Sequence, residues 1–221
     1  MSIAARLTAV RARIDDAARA CGRNSAEVKL IAVSKRHPPE AIAEAYAAGQ
    51  RAFGENYAQE LVTKAGELSH LAELDWHFVG HLQTNKVNLL AACHTIHSID
   101  SLHLAAAIEK KHAGRPMRAF VEVNLSGEPA KTGCTEAGAP CIVEYLRRAG
   151  HLTFAGLMTM PPAGDAVAAG AIFARLAALA QTMRGNDEIV ELSMGMSDDL
   201  ESAIAHGATH VRVGTAIFGP R

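Results

Sequence analysis

The sequence predicts a (β/α)8 barrel, and three observations carry the prediction. Short β-rich runs alternate with alanine-rich helical runs, which argues for parallel βαβ units. There are eight such runs in 221 residues, the compact end of the range for this barrel. The turn after the first run reads "SKRHPPE" and contains no glycine, which disfavours the alternative, a doubly wound open sheet. One domain over residues 1–221 is expected, with an extra helix ahead of the first strand.

That first helix is read from Ile3, Leu7, Val10 and Ile14, which recur at helical spacing and mark one apolar face. It is expected to plug the barrel floor or pack on its side, with its arginines in water. Asp15 and Asp16 interrupt the stretch, so it is not read as a signal peptide. The strand runs follow at 29–35, 51–55, 75–80, 95–99, 118–124, 153–158, 189–194 and 209–214. A helix candidate fills every gap between them. No long Pro/Gly run or low-complexity tract marks a linker. Trp76 and Phe78 share a strand face and are expected in the helix-facing core. Glu109, Lys110 and Lys111 are expected to form a solvated helix end.

Composition excludes several classes. The net charge of −1 gives no basic excess for nucleic acid or an anionic membrane. No window holds about 18 uninterrupted apolar residues, so no transmembrane helix is expected. Cys21, Cys93, Cys134 and Cys141 form no CxxC pair and are read as reduced thiols in the cytoplasm. "CHTIH" (93–97) offers Cys93, His94 and His97 as metal ligands, but a strand turns the two histidines to opposite faces, and no metal is expected.

In such barrels the chemistry lies at the C-terminal ends of the strands. The first run, "KLIAVSK", puts Ile31, Val33 and Lys35 on one face, so Lys35 points into the mouth if its partners fill the interior. Partial desolvation there lowers a lysine pKa and frees the amine as a nucleophile. The plainer reading is a lysine that reaches solvent at a strand end. The loops after strands seven and eight, "ELSMGMSDDLESAI" (191–204) and "HVRVGTAIFG" (210–219), lie where such barrels bind phosphate. Ser193, Ser197 and the N–H groups of Gly214 and Thr215 are candidates for that cradle. Ser197 also reads as a helix N-cap with Asp198 and Asp199 in the first turn, and those acids must point away from a phosphate. Arg212 shares a face with His210 and Gly214 and needs an anionic or ring-nitrogen partner in the mouth. A salt bridge to Glu122 is the alternative. An amine, a phosphate cradle and an arginine together suit pyridoxal 5′-phosphate (PLP), whose aldehyde condenses with Lys35 as a Schiff base.

The segments "AVSKRHP", "FGENYAQE", "WHFVGHLQTNK", "HSIDS", "VNLSGEPAKTG", "GLMTM", "LSMGMSDDLESAI" and "VRVGTAIFG" resemble, in order, the pyridoxal phosphate homeostasis proteins. These are also known as proline synthetase co-transcribed homologues. The resemblance implies a PLP-bearing barrel like the N-terminal domain of alanine racemase. It implies that Lys35 holds the cofactor and that Ser193, Ser197, Arg212, Gly214 and Thr215 surround it. Asn56, His81, Asn124 and Met158 match family motifs and would line the pocket. The family is associated with PLP homeostasis: keeping free PLP low, supplying it to PLP-dependent apoenzymes and balancing amino and keto acid pools.

A carrier is therefore expected rather than an enzyme. The alternatives are a PLP-dependent racemase or decarboxylase and a lysine-dependent aldolase. A two-base racemase needs an acid–base group on each side of the substrate. No second domain is expected to supply one, and among the tyrosines only Tyr57 falls near a strand end. Lys131 either assists PLP transfer or is a solvated loop residue. A monomer is expected.

Overall fold

The computed structural model describes residues 1–128, 131–162, 164–185 and 190–220. Its strands are β1 (Lys29–Val33), β2 (Ala52–Glu55), β3 (Asp75–Phe78), β4 (Thr95–Ile99), β5 (Met117–Glu122), β6 (Leu152–Met158), β7 (Glu191–Ser193) and β8 (His210–Val213). They close into a parallel barrel in chain order, with β1 paired to both β2 and β8. The seventh run was expected to begin at residue 189, which lies outside the described residues.

Eight helices accompany the strands: α1 (Ile3–Ala20), α2 (Pro39–Ala47), α3 (Ala58–Glu67), α4 (Leu102–Lys111), α5 (Ala139–Leu146), α6 (Ala166–Thr182), α7 (Leu200–Ala205) and α8 (Thr215–Phe218). Ser2, Ser101 and Asp165 cap α1, α4 and α6 by accepting the N–H groups of Ala5, Leu104 and Ala168. One expected helix is missing. The gap between β3 and β4 carries only a 3-10 turn, Val87–Leu90, whose buried Val87 and Leu90 cover the sheet there.

Helix α1 packs on the side of the barrel, against α2, α7 and α8, and does not plug the floor. Its face is the one the spacing predicts, with Ile3, Leu7, Val10, Ile14 and Ala18 buried. Arg19 is exposed as expected, but two other arginines correct the expectation of water. Arg13 pairs with Glu201 and donates to the Ser197 carbonyl at 2.9 Å, and Arg11 donates to the Ala48 carbonyl at 3.1 Å. Since α8 is a single turn, α1 supplies the apolar cover that the outward Val211 and Val213 of β8 require.

Trp76 and Phe78 lie in the outer core, where the Trp76 and Phe53 rings stand 6.2 Å apart. Glu109 is not a solvated residue. Its carboxylate accepts the backbone N–H groups of Gly150, His151 and Leu152 at 2.9–3.1 Å, anchoring the start of β6. Cys93, His94 and His97 occupy separate environments. Cys93 Sγ donates to the Thr95 carbonyl, His94 Nδ1 accepts Trp76 N–H, and His97 lies inside the barrel. All four cysteines are free. Among the described residues, no helix is long and apolar enough to cross a membrane.

The interior departs from the branched aliphatic filling common in these barrels. Phe120 stacks on His97 with ring centroids 4.6 Å apart, His210 sits edge-on to Phe120 at 5.0 Å, and His77 lies 5.1 Å from His97. Three buried imidazoles therefore occupy the barrel axis.

Candidate functional site

A cavity of about 300 Å³ opens at the C-terminal mouth. Its first contributor is β1. Ile31 and Val33 face inward, since a Cβ added at Gly54 would lie 3.1 and 3.3 Å from their side chains. The strand ends at Val33, two residues short of the expected boundary, and Lys35 lies in the turn that follows. That turn is tightly determined. Arg36 adopts a left-handed conformation (φ 62°), unusual for a residue other than glycine, and its N–H donates to Glu60 Oε2 at 2.8 Å. Pro38 and Pro39 then start α2, Pro39 standing where a missing N–H costs nothing.

A buried ion network braces this strand end. Lys64 Nζ donates to the Ser34 carbonyl at 2.9 Å, Glu55 Oε1 at 2.8 Å and Glu60 Oε2 at 3.0 Å. Ser34 Oγ donates to the same Glu55 oxygen at 2.7 Å. The residues on both sides of Lys35 are thus tied to α3. Burial pushes the Glu55 carboxyl up to about 7 against the opposing pull of Lys64, while hydrogen bonds from Arg36 and Lys64 hold Glu60 low despite its own partial burial.

The adjoining wall comes from β7, β8 and their loops. Arg212 is 5% exposed, donates to Ser193 Oγ at 2.7 Å and to the Thr159 carbonyl at 3.0 Å, and lines the cavity. Burial lowers its pKa to about 10, so it stays charged at neutral pH. Its alternative partner, Glu122, instead accepts a hydrogen bond from Thr132 at 2.6 Å. Gly214 leads into α8, and a Cβ there would lie 3.1 Å from the Val33 carbonyl, so the close approach of β8 to β1 favours glycine. The first N–H groups of α8 have no intrahelical acceptor and stand beside the cavity.

Six candidate residues come together on this cavity: Lys35, Asn56, Ser197, Arg212, Gly214 and Thr215. The other four are placed elsewhere. Ser193 is fully buried behind Arg212. Met158 is fully buried with Phe120 and Ala155. Asn124 folds the loop after β5, donating to the carbonyls of Glu128 and Lys131. His81 lines an adjacent cavity of about 320 Å³, with its ring 3.3 Å from Asp100. Asn56 borders both cavities.

Sequence reasoning missed Val33, Val79, Met160, Met196 and Asp198 on the lining. Met160 was within reach of it. Met160 lies two residues beyond the inward Met158, as strand alternation requires, whereas Met196 lies three beyond Ser193 and reaches the cavity only because the loop after β7 breaks the alternation. Ser197 is not the helix cap: α7 begins after Asp199, whose side chain turns back to accept Met196 N–H. Asp198 stays on the cavity rim, exposed, contrary to the expectation that both acids point away. Lys131 pairs with Glu128 at 3.0 Å and is part-buried.

The donor set fits a flat ring with an anionic arm. Val33, Val79, Met160 and Met196 give apolar walls, Lys35 an amine, Arg212 a fixed cation, and Ser197 and Thr215 hydroxyls. Asn56 Oδ1 is buried on this cavity without a hydrogen-bond partner among the described residues, an acceptor that a guest's donor would satisfy.

A closed parallel barrel bearing this amine and guanidinium at its mouth is of the alanine racemase N-terminal kind. The family model described as alanine racemase, N-terminal domain, matches residues 5–221. The pyridoxal phosphate homeostasis protein of Pseudomonas aeruginosa is 46% identical over all of this chain and 96% of its own length. That of Escherichia coli K12 is 42% identical over 99% and 97%. The structure of PipY from Synechococcus elongatus with PLP bound superposes with a TM-score of 0.86 at 38% identity, covering 99% of this chain and all of that one. The chain belongs to the pyridoxal phosphate homeostasis protein family. Alanine racemase from E. faecalis shares the fold at 15% identity and TM-score 0.67, and the match covers 58% of that chain.

Proposed function

We propose that this chain binds PLP as a Schiff base on Lys35 and acts in intracellular PLP homeostasis, as a carrier and regulator of its supply and of amino and keto acid balance. The observation that carries the reading is the meeting of Lys35 and the buried Arg212 across one cavity. PLP bound there supplies an aldehyde for an amine and an electron-withdrawing ring. Lys35 would hold the guest covalently, Arg212 would offer it a fixed cation, and Ser197, Gly214, Thr215 and the first N–H groups of α8 would receive the phosphate. Asn56 borders the same guest. Ser193 acts from behind Arg212, Met158 from the layer beneath, and His81 and Asn124 from the surrounding loops.

A carrier fits better than a racemase or decarboxylase. Among the described residues no tyrosine lines the cavity, and the Tyr57 hydroxyl is engaged by Arg36 at 3.1 Å. Residues 1–221 work as one unit in this proposal, as a cytoplasmic monomer that passes PLP to dependent apoenzymes. The first test is the visible spectrum with added PLP, followed by borohydride reduction and peptide mass mapping. The expected result is a yellow protein with a pyridoxyl group on Lys35, and Lys35→Ala loses both while its circular dichroism is unchanged. A colourless, unmodified wild type refutes the assignment. Steady turnover of an amino acid would move the chain to the enzymes.

A further inference from the structure

The three imidazoles on the barrel axis are costly filling, because aliphatic side chains would occupy the same space without desolvating polar groups. The hydrogen bonds of two of them, His77 and His97, form a line, while the third, His210, has its Nδ1 2.9 Å from the Thr209 hydroxyl. At the floor, Lys29 Nζ pairs with Asp75 Oδ2, which lies 3.0 Å from His77 Nε2. His77 Nδ1 is 2.8 Å from His97 Nε2, and His97 Nδ1 is 2.8 Å from Ser193 Oγ. Ser193 Oγ receives Arg212 Nη1, which stands at the cavity.

With both rings neutral, the two ends decide the direction of every bond between them. A guanidinium only donates and a carboxylate only accepts. Asp75 therefore takes the proton of His77 Nε2. A neutral His77 then offers its Nδ1 lone pair to His97 Nε2–H, and His97 Nδ1 accepts from the Ser193 hydroxyl. Ser193 Oγ is left to accept from Arg212. Burial lowers the pKa of both rings, consistent with neutral imidazoles, and the His77 hydrogen bond together with Lys29 holds Asp75 low despite its burial.

We propose that Asp75, His77, His97 and Ser193 are positioning residues for Arg212: their hydrogen bonds, all donated toward the floor carboxylate, fix both rings as Nε2–H tautomers and hold the guanidinium facing the cavity. The Thr159 carbonyl is the second anchor of the guanidinium, so its remaining N–H groups are left for a guest. A change of charge at the floor is thereby read at the mouth. Only this effect on the guest rests on the PLP reading.

The tautomers are tested first, on wild-type protein without PLP, by two-bond proton–nitrogen correlation of the imidazoles. Two neutral rings protonated at Nε2 between pH 6 and pH 8 are expected, on the order of the range where a free histidine titrates. A charged His77 or His97, or either ring protonated at Nδ1 alone, overturns the line. The second test is PLP titration of folded variants. His97→Phe keeps the ring stacked on Phe120 and removes both bonds, and Ser193→Ala removes the last one. Each is expected to weaken PLP retention about tenfold, the scale of one hydrogen bond to a charged group, and to shift the visible band, with Ser193→Thr restoring both. Unchanged retention and band in His97→Phe and Ser193→Ala overturn the positioning role. If the wild type takes up no PLP, the proposed function and the effect on the guest both fall, and the line is judged by its tautomers.

Discussion

Glu55 shows how much a single side chain decides at this strand end. It is fully buried, shares one oxygen between Lys64 and Ser34, and has its pKa raised by burial from 4.5 to about 7. A carboxyl whose folded pKa is raised stabilises the fold fully below its unfolded value, and that contribution is lost as pH climbs through the folded value. Glu55→Gln is permanently neutral and has no such dependence. Its stability relative to wild type should therefore rise between pH 4.5 and pH 8, by up to about 3 kcal/mol. Urea unfolding at both ends of that window measures it, and a flat difference would mean that Glu55 keeps an ordinary pKa. The sequence reveals the lysine that this network braces, because alternation points Lys35 into the mouth. It does not reveal the brace. Glu55, Lys64 and Ser34 become neighbours only when β2 pairs with β1 and α3, packed on β2 and β3, sends Lys64 across to Ser34, which no local pattern records.

The strands and their order are legible in the sequence because each is a short apolar run bounded by turns. All eight lie where the pattern places them. What failed was the helix between β3 and β4, where "TNKVNLLAAC" has helical composition but the connection forms only a 3-10 turn. Glu109 failed for a related reason. A charged residue near a helix end reads as solvated, yet β6 begins beside it and three backbone N–H groups there need an acceptor. Replacing Glu109 with Ala should destabilise the protein by about 1 kcal/mol, since the part-buried N–H groups of His151 and Leu152 lose their partner. Denaturant unfolding reads the loss, and Glu109→Gln should recover part of it through its remaining carbonyl.

Over the whole molecule, the site is spread along the chain: Lys35 follows the first strand and Arg212 stands in the last. The barrel must close before these groups meet, since β1 pairs with β8 through Ile31 and Arg212. Leu7 is fully buried where α1 covers that seam, so Leu7→Ala should cost about 2–5 kcal/mol and also loosen PLP retention. Thermal unfolding and PLP titration of the same variant test both parts, and a loss of stability with retention intact would separate the seam from the site.

Helix α1 leaves the ribosome ahead of every element it packs against. Of its partners only α2 follows soon after, while α7 and α8 come some two hundred residues later, so during synthesis its apolar face stays without most of its native cover until they are made. Contacts this distant in sequence make closure slow and leave it to the end. Closure is then the joining of β1 to β8, at the same seam that brings lysine and arginine together. Before β8 is made there is no such cavity, and the capacity to capture a ligand should appear all at once, when the eighth strand pairs with the first.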